Sequence, residues 1–142
     1  SVSALPGAYQ TVGCGAGTLA LAARASGARR AFGFDLDVDA PFASRLNARR
    51  NRLDGCAFWG GLLDSLSPAA RFDVVVANML QEEVGPILPG LAALLPPGGL
   101  FVTAGQLVAR EAEFLRLLAA AGLRPARLAS EGEWLGTLSE RP

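Results

Sequence analysis

The segment Thr11-Val12-Gly13-Cys14-Gly15-Ala16-Gly17-Thr18-Leu19 joins the end of an apolar run, three alternating glycines and the start of an alanine- and leucine-rich stretch. This order predicts a β-strand, a tight turn and an α-helix. Glycine has no Cβ, so a ligand can lie directly against the main chain of such a turn. The N-terminus of the following helix adds unpaired N–H groups and a positive dipole end, which suit a nucleotide or a carboxylate.

The glycine spacing separates two classes of nucleotide-binding turn. Dinucleotide folds use G-x-G-x-x-G, and the third glycine of that pattern would fall at position 18, which is threonine here. The observed spacing, with glycine at 13, 15 and 17, is that of methyltransferases. A purely structural glycine turn is the alternative, because such loops recur in many folds. A nicotinamide-dependent oxidoreductase is the third and least favoured interpretation.

Asp35 adds a second feature to the predicted site. It ends the second predicted strand, where both nucleotide-binding classes place an acidic residue, and its two oxygens can accept both ribose hydroxyls. The alternative is a carboxylate that caps the next helix. Asp37 and Asp39 are better placed for capping, so we assign Asp35 to the ribose, Asp39 to the helix N-cap and Asp37 to solvent.

Apolar strand-like runs alternate with helical patterns along the rest of the chain, which is typical of an α/β domain with a largely parallel sheet. Strands are predicted at residues 9–13, 31–35, 56–59, 72–77, 99–105, 123–130 and 133–140, the last two as an antiparallel pair joined at Gly132. Helices are predicted at residues 18–26, 39–52, 82–95 and 109–121. No linker or repeat interrupts the pattern, so we expect a single domain spanning residues 1–142.

Composition excludes several kinds of chemistry. The chain has no histidine, and its two cysteines, Cys14 and Cys56, lie far apart, so we expect no metal site and no Ser-His-Asp hydrolysis. The net charge is zero, which predicts no direct binding to nucleic acid. Neither a membrane-spanning apolar run nor an N-terminal secretory signal is present, so we expect a cytoplasmic protein without membrane partners.

Four stretches resemble the PrmA family, the methyltransferases of large-subunit ribosomal protein eleven. The stretches are Val12-Gly13-Cys14-Gly15-Ala16-Gly17-Thr18-Leu19-Ala20, Gly33-Phe34-Asp35-Leu36-Asp37, Phe72-Asp73-Val74-Val75-Val76-Ala77-Asn78-Met79-Leu80 and Glu131-Gly132-Glu133-Trp134. The first stretch is generic to class I methyltransferases, so the third and fourth discriminate better.

The resemblance implies a Rossmann-like, mostly parallel seven-stranded sheet in the order 3-2-1-4-5-7-6, with helices on both faces. It implies S-adenosyl-L-methionine as cofactor and methyl transfer to an amine of a protein substrate, most simply a ribosomal protein. Asn78 is the candidate catalytic residue, with closure of a turn as the alternative for its amide. The candidate cofactor-binding residues are Gly13, Cys14, Gly15, Gly17, Asp35, Leu36, Gly61, Leu62, Asn78 and Met79. Trp59 is expected in the core, with stacking on a base as the alternative, and Trp134 is expected in the core or packed on the sheet.

Two departures from the family pattern keep an alternative open. Family members carry an N-terminal substrate-recognition domain before this core, and they have aspartate where this chain has Thr11. The alternative is therefore a truncated or degenerate domain that binds cofactor or a partner without catalysis. On the same grounds we expect the chain by itself to methylate its target poorly or not at all.

Overall fold

The computed structural model describes residues 7–142 as alternating strands and helices. Residues 1–6, on which the expectation about a secretory signal rests, lie outside the described part. The strands are β1 (Ala8–Val12), β2 (Arg30–Asp35), β3 (Cys56–Gly60), β4 (Val74–Asn78), β5 (Leu100–Leu107), β6 (Arg124–Glu131) and β7 (Trp134–Glu140). The α-helices are α1 (Thr18–Ala25), α2 (Asp39–Arg50), α3 (Gln81–Val84), α4 (Leu88–Ala93) and α5 (Glu111–Ala120). The sheet order is β3-β2-β1-β4-β5-β7-β6, which confirms the predicted Rossmann-like fold.

The chain divides into two compact units, with the boundary after Ser67. In the first unit, β1, β2 and β3 pair in parallel, so their C-terminal ends meet at one edge. Small side chains let α1 and α2 pack closely on β2 and β3, because the core cluster is built mainly of alanines around Phe58 and Leu21. The single domain spanning residues 1–142 stays a prediction.

The second unit, Pro68–Pro142, has a larger and more aliphatic core. Here β4 pairs in parallel with β5, and β7 pairs antiparallel with both β5 and β6. The largest fully buried side chains are Phe101, Phe114, Leu88, Leu91, Leu95 and Leu118. All residues of β6 are exposed, and Pro125 and a register shift interrupt this edge strand, as is common where a sheet edge must resist pairing with other chains.

The predicted helix over residues 82–95 is wrong. The chain instead forms the short α3, a 3₁₀ turn at Gly85–Ile87 and then α4. Pro86 and Pro89 explain the break, because proline lacks the N–H that a continuous helix needs and its ring clashes with the preceding turn. The apolar spacing was correct, but it is divided between two helical segments.

Both ends of α2 also differ from the prediction. Asp39 is the first residue of the helix and not its cap, since its N–H donates to the Asp37 carboxylate at 3.0 Å. The helix ends at Arg50, and Arg52 then adopts a left-handed conformation with φ 53°. The Leu53 N–H reaches back to the Ala48 carbonyl at 3.0 Å, the hydrogen bond that closes a helix in a Schellman motif.

Candidate functional site

The glycine turn after β1 has the conformation that its sequence predicts. Gly13, Gly15 and Gly17 have φ values of 69°, 52° and 86°, which lie in the left-handed region that other residues rarely adopt. A Cβ on Gly17 would lie 3.0 Å from Ser44, whereas a Cβ on Gly15 would meet nothing within 4 Å. The turn therefore packs against α2 at Gly17 and faces open space at Gly15.

Three side chains hold the main chain of this turn. Asp35 accepts the Gly15 N–H at 2.9 Å, Ser44 donates to the Gly15 carbonyl at 2.9 Å, and Asn47 donates to the Ala16 carbonyl at 2.9 Å. Ser44 is fully buried on α2. The roles of Ser44 and Asn47 were not predicted, because the sequence of α2 alone does not show that this helix lies against the turn.

Asp35 is placed at the C-terminal end of β2 with both oxygens already engaged. Its Oδ2 accepts from Gly15 and its Oδ1 accepts the Asp37 N–H at 3.0 Å. Each carboxylate oxygen can accept a further hydrogen bond, so the group can hold the turn and still accept from hydroxyl groups. Asp37 is exposed, as predicted, and it also caps α2, the role for which the sequence favoured Asp37 and Asp39 over Asp35.

Cys14 points its side chain into the core. A Cβ on Gly33 would lie only 2.6 Å from the Cys14 Cβ, so the two residues fit together only because position 33 is glycine. Burial raises the pKa of the Cys14 thiol, although the Ser44 hydroxyl, 3.6 Å from the sulfur, opposes the shift. Any contact between Cys14 and a ligand at the turn must therefore use the main chain.

The remaining candidates of the first unit follow β2 and β3. Gly61 donates its N–H to the Asp35 carbonyl at 2.9 Å, which brings the ends of these two strands together. Leu36 and Leu62 are 72% and 52% exposed, so a ligand at this edge can reach both side chains. Trp59 stacks on Phe34 with ring centroids 6.0 Å apart, but it is only half-buried and does not lie in the core as predicted.

In the second unit, Asn78 and Met79 line a cavity of about 460 Å³ at the ends of β4 and β5, within the size range of small-ligand pockets. Its lining comprises Asn78, Met79, Leu80, Glu83, Ala104, Gly105 and Trp134. Trp134 does not lie in the core, the first of the two places predicted for it, because its side chain is 46% exposed and forms part of this wall. Glu83 was also missed, since an acidic residue in the first turn of a helix looks like an ordinary capping residue.

The geometry of Glu83 combines a structural contact with access to the cavity. Its Oε2 accepts the Leu80 N–H at 3.0 Å, which caps α3. A carboxylate has about four acceptor positions, so the group keeps capacity for a second donor. The cavity thus presents an amide, a carboxylate and an indole, a set suited to an amine or ammonium group.

Among residues 7–142, no helix is long and apolar enough to cross a membrane. The same residues contain no group of three or more His, Cys, Asp or Glu side chains arranged to hold a metal ion.

The comparisons with known proteins agree with this arrangement. The sequence model of the family described as ribosomal protein L11 methyltransferase (PrmA) matches residues 9–141. The chain belongs to the ribosomal protein L11 methyltransferase family. The "Ribosomal protein L11 methyltransferase" of Agathobacter rectalis is 33% identical over 138 residues, covering 92% of this chain and 43% of that protein. The protein of the same name from Geobacter metallireducens is 37% identical over 123 residues, covering 87% of this chain and 40% of that protein.

Solved structures give the same family and fold. The crystal structure of "ribosomal protein L11 methylase" from Lactobacillus delbrueckii subsp. bulgaricus has a TM-score of 0.90 and 27% identity, covering 96% of this chain and 71% of that one. A magnesium protoporphyrin IX methyltransferase from Synechocystis with bound SAH has a TM-score of 0.78 at 16% identity over 96% of this chain and 75% of that one, which shows the fold alone. This chain spans less than half the length of the two curated relatives named above.

Proposed function

We propose that this chain is the cofactor-binding and methyl-transferring part of an S-adenosylmethionine-dependent N-methyltransferase. Its substrate is an amine of a ribosomal protein, and the reaction takes place in the cytoplasm. The observation that carries the proposal is the pairing of an open Gly15 backbone with the Asp35 carboxylate, 2.9 Å from the Gly15 nitrogen. Membership of the ribosomal protein L11 methyltransferase family supports the choice of reaction and substrate.

The residues of the first unit fit S-adenosylmethionine. Gly15 leaves free the space that a Cβ would occupy, so the methionine end of the cofactor can lie against the main chain of the turn. Asp35 has acceptor capacity left for the two ribose hydroxyls. The exposed side chains of Leu36 and Leu62 offer apolar surface for the adenine ring, which would remove them from water.

The Asn78 cavity of the second unit offers groups that suit an amine substrate. When bound, S-adenosylmethionine would supply an electrophilic methyl group to a neutral amine and would leave as S-adenosylhomocysteine. Glu83 attracts the ammonium form into the cavity, where it loses a proton to water, and Asn78 Oδ1 can accept an N–H of the neutral amine and so direct its lone pair. Trp134 packs against the aliphatic part of the substrate and excludes water. These residues contribute alignment and not covalent chemistry.

The test is calorimetric titration with S-adenosylmethionine, S-adenosylhomocysteine and NAD. We expect binding of the first two and none of NAD, and measurable NAD affinity without binding of either methionine nucleotide would refute the proposal. Binding without methyl transfer to purified ribosomal protein L11 would favour the alternative of a non-catalytic domain.

Gly15→Ala and Gly98→Ala form a matched pair for the same titration. Both glycines have left-handed backbones, with φ of 52° and 83°, and a Cβ on either would meet nothing within 4 Å. Each substitution should therefore cost stability by about 1–2 kcal/mol, the usual penalty for a left-handed alanine. Only Gly15→Ala should abolish cofactor binding, because only there does the new methyl group occupy the proposed ligand space. Equal affinities of the two variants would show that the ligand does not lie against Gly15.

A further inference from the structure

Gln106 is a buried glutamine whose side chain contacts the main chain of the Asn78 cavity. It is 1% exposed, and its Nε2 donates to the Met79 carbonyl at 2.7 Å. Its Oε1 has no hydrogen-bond partner among residues 7–142. The amide nitrogen of Gln106 is therefore hydrogen-bonded to a residue that lines the cavity, whereas the amide oxygen is not hydrogen-bonded.

An irregularity in β5 brings Gln106 to this position. Thr103 pairs with Thr137 and Gln106 pairs with Leu135, so β5 has one residue more than β7 between the two pairs. In a regular strand, residues three apart point to opposite faces, but the extra residue of a bulge restores them to the same face. Thr103 and Gln106 are accordingly both buried, and Gly105 takes the positive φ of 93° that the bulge requires.

The bulge and Gln106 together hold both main-chain polar groups of Met79. The Met79 N–H donates to the Ala104 carbonyl at 3.1 Å, and the Met79 carbonyl accepts from Gln106. Gly105 permits this approach, because a Cβ at that position would lie 2.8 Å from the Met79 oxygen and 3.3 Å from the Asn78 Oδ1. The orientation of the peptide that follows Asn78 is therefore fixed from β5.

Packing alone does not account for a glutamine at this position. A buried carbonyl oxygen without a partner is costly, and a methionine of similar volume would fill the space without that cost. A polar group that is retained despite such a cost is expected at functional sites. The gain that offsets it here is the hydrogen bond to Met79.

We propose that Gln106 is a positioning residue for methyl transfer, which acts by fixing the Met79 carbonyl and through it the Asn78 side chain. This inference rests on the proposed function for its kinetic consequence. The effect of Gln106 on the conformation of Asn78 and Met79 can be measured without any enzymatic turnover.

The experiment compares Gln106→Met with Gln81→Met. Gln81 is a matched control, since it is also buried with an unpartnered Oε1, but its amide bonds Glu113 and not the cavity. Met79 is the only methionine of the chain, so carbonyl-¹³C methionine labelling gives one native resonance that reports its hydrogen bond. In Gln106→Met, where the label also marks residue 106, we expect an upfield shift of the Met79 resonance and a shift of the Asn78 side-chain amide. Gln81→Met should leave both near their native positions.

The kinetic arm uses saturating S-adenosylmethionine and purified ribosomal protein L11. Gln106→Met should lower kcat by about 10- to 100-fold, the scale on which small misplacements reduce rates, with KM for the cofactor and Tm near the native values. A purely structural role would instead lower Tm. Native kcat, or unchanged Met79 and Asn78 resonances, would overturn the inference. If the native chain shows no turnover, as is expected of the core by itself, the Met79 and Asn78 resonances alone decide the positioning role, and the cofactor titration decides the proposed function.

Gly105→Ala provides a second route if Gln106→Met does not fold. Its Cβ would push the Met79 carbonyl away while leaving Gln106 intact. We expect the same loss of kcat and a shift of the same resonance. A Gly105→Ala variant with native kcat and a native Met79 resonance would equally refute the inference.

Discussion

At the scale of single residues, Asp35 prepares the glycine turn before any ligand arrives. Its carboxylate accepts the N–H groups of Gly15 and Asp37, so the turn and the start of the next helix are ordered around one side chain. A preorganised site loses less entropy on binding than a flexible one. Asp35 is therefore expected to contribute to affinity both by direct contact and by holding the turn.

We predict that Asp35→Ala lowers the affinity for S-adenosylhomocysteine by roughly 2–4 kcal/mol, because two charge-assisted hydrogen bonds are lost and water recovers part of their energy. Asp37→Ala is the control. It removes the hydrogen bond to the Asp39 N–H, so it should lower the free energy of unfolding by about 0.5–2 kcal/mol and leave affinity nearly unchanged. Titration calorimetry and urea unfolding measure the two effects. Equal affinity losses in both variants would contradict the ribose assignment.

At the scale of secondary-structure elements, the C-terminal end of α2 has a strained backbone at Arg52 that a substitution can relieve. Arg52, with φ 53°, is the only residue other than glycine with a positive φ among residues 7–142. The ends of α1 and α5 have glycine at the corresponding position, Gly27 and Gly122 with φ of 118° and 81°. The α2 Schellman motif therefore forms with a residue that disfavours it.

We predict that Arg52→Gly raises the free energy of unfolding by about 0.5–1 kcal/mol, since relief of the left-handed strain exceeds the extra flexibility of glycine in the unfolded chain. Arg49→Gly, one turn earlier in the regular helix, should lower it by about 1 kcal/mol. Chemical denaturation of both variants is the measurement. A loss of stability in Arg52→Gly would show that the Arg52 side chain stabilises the helix end by more than the strain costs.

A second element-scale feature is the ion-pair group that joins α3 to α5. Arg110 contacts the carboxylates of Glu82 and Glu113. The pKa of Glu82 lies below its ordinary value because of a backbone hydrogen bond and then the contact with Arg110, and Arg110 is the first cause of the same shift in Glu113. A depressed carboxyl pKa contributes stability above the ordinary pKa that is lost as the pH falls through the lower, folded-state pKa.

We predict that the Tm of Arg110→Met falls less than the native Tm when the pH is lowered from about 5 to about 3, the range around ordinary glutamate pKa values. Arg127→Met, on the exposed edge strand, is the control and should keep the native profile. Thermal unfolding monitored by circular dichroism across this range decides the question. If the Tm of Arg110→Met falls with pH in parallel with the native Tm, Arg110 does not stabilise the charged forms of Glu82 and Glu113 in the folded protein.

At the scale of the whole molecule, the charge is balanced, with 13 basic and 13 acidic residues. Of the arginines of α2, Arg45 donates to the Phe58 carbonyl at 2.8 Å, and the side chains of Arg49 and Arg50 are exposed. We predict that ribosomal RNA fragments bind no more tightly than the non-specific range of about 10⁻⁴–10⁻⁶ M. Fluorescence anisotropy from low to moderate salt tests this, with an Arg49→Ala/Arg50→Ala variant as control. Tighter binding that the double variant abolishes would identify α2 as an RNA-binding surface.

The sequence by itself determined the features that depend on neighbours along the chain. Three glycines at alternate positions permit a turn with left-handed backbones that other residues would disfavour, and Gly13, Gly15 and Gly17 form one. Continuous β-branched runs identified the central strands to within a residue or two. Together with the family resemblance, these local signals were enough to predict the sheet order and to place Asp35 and Asn78 at strand ends.

Only the tertiary structure decided which distant side chains support those positions. Ser44 and Asn47 hold carbonyls of the glycine turn from 29 and 31 residues away, and Gln106 holds Met79 from 27 residues away. Periodicity shows which face of an element is apolar, but not which main-chain group a buried polar side chain meets after packing. The sequence left Trp134 between the core and the sheet surface for the same reason, because a tryptophan in a strand has the same local pattern in a core as in a cavity wall.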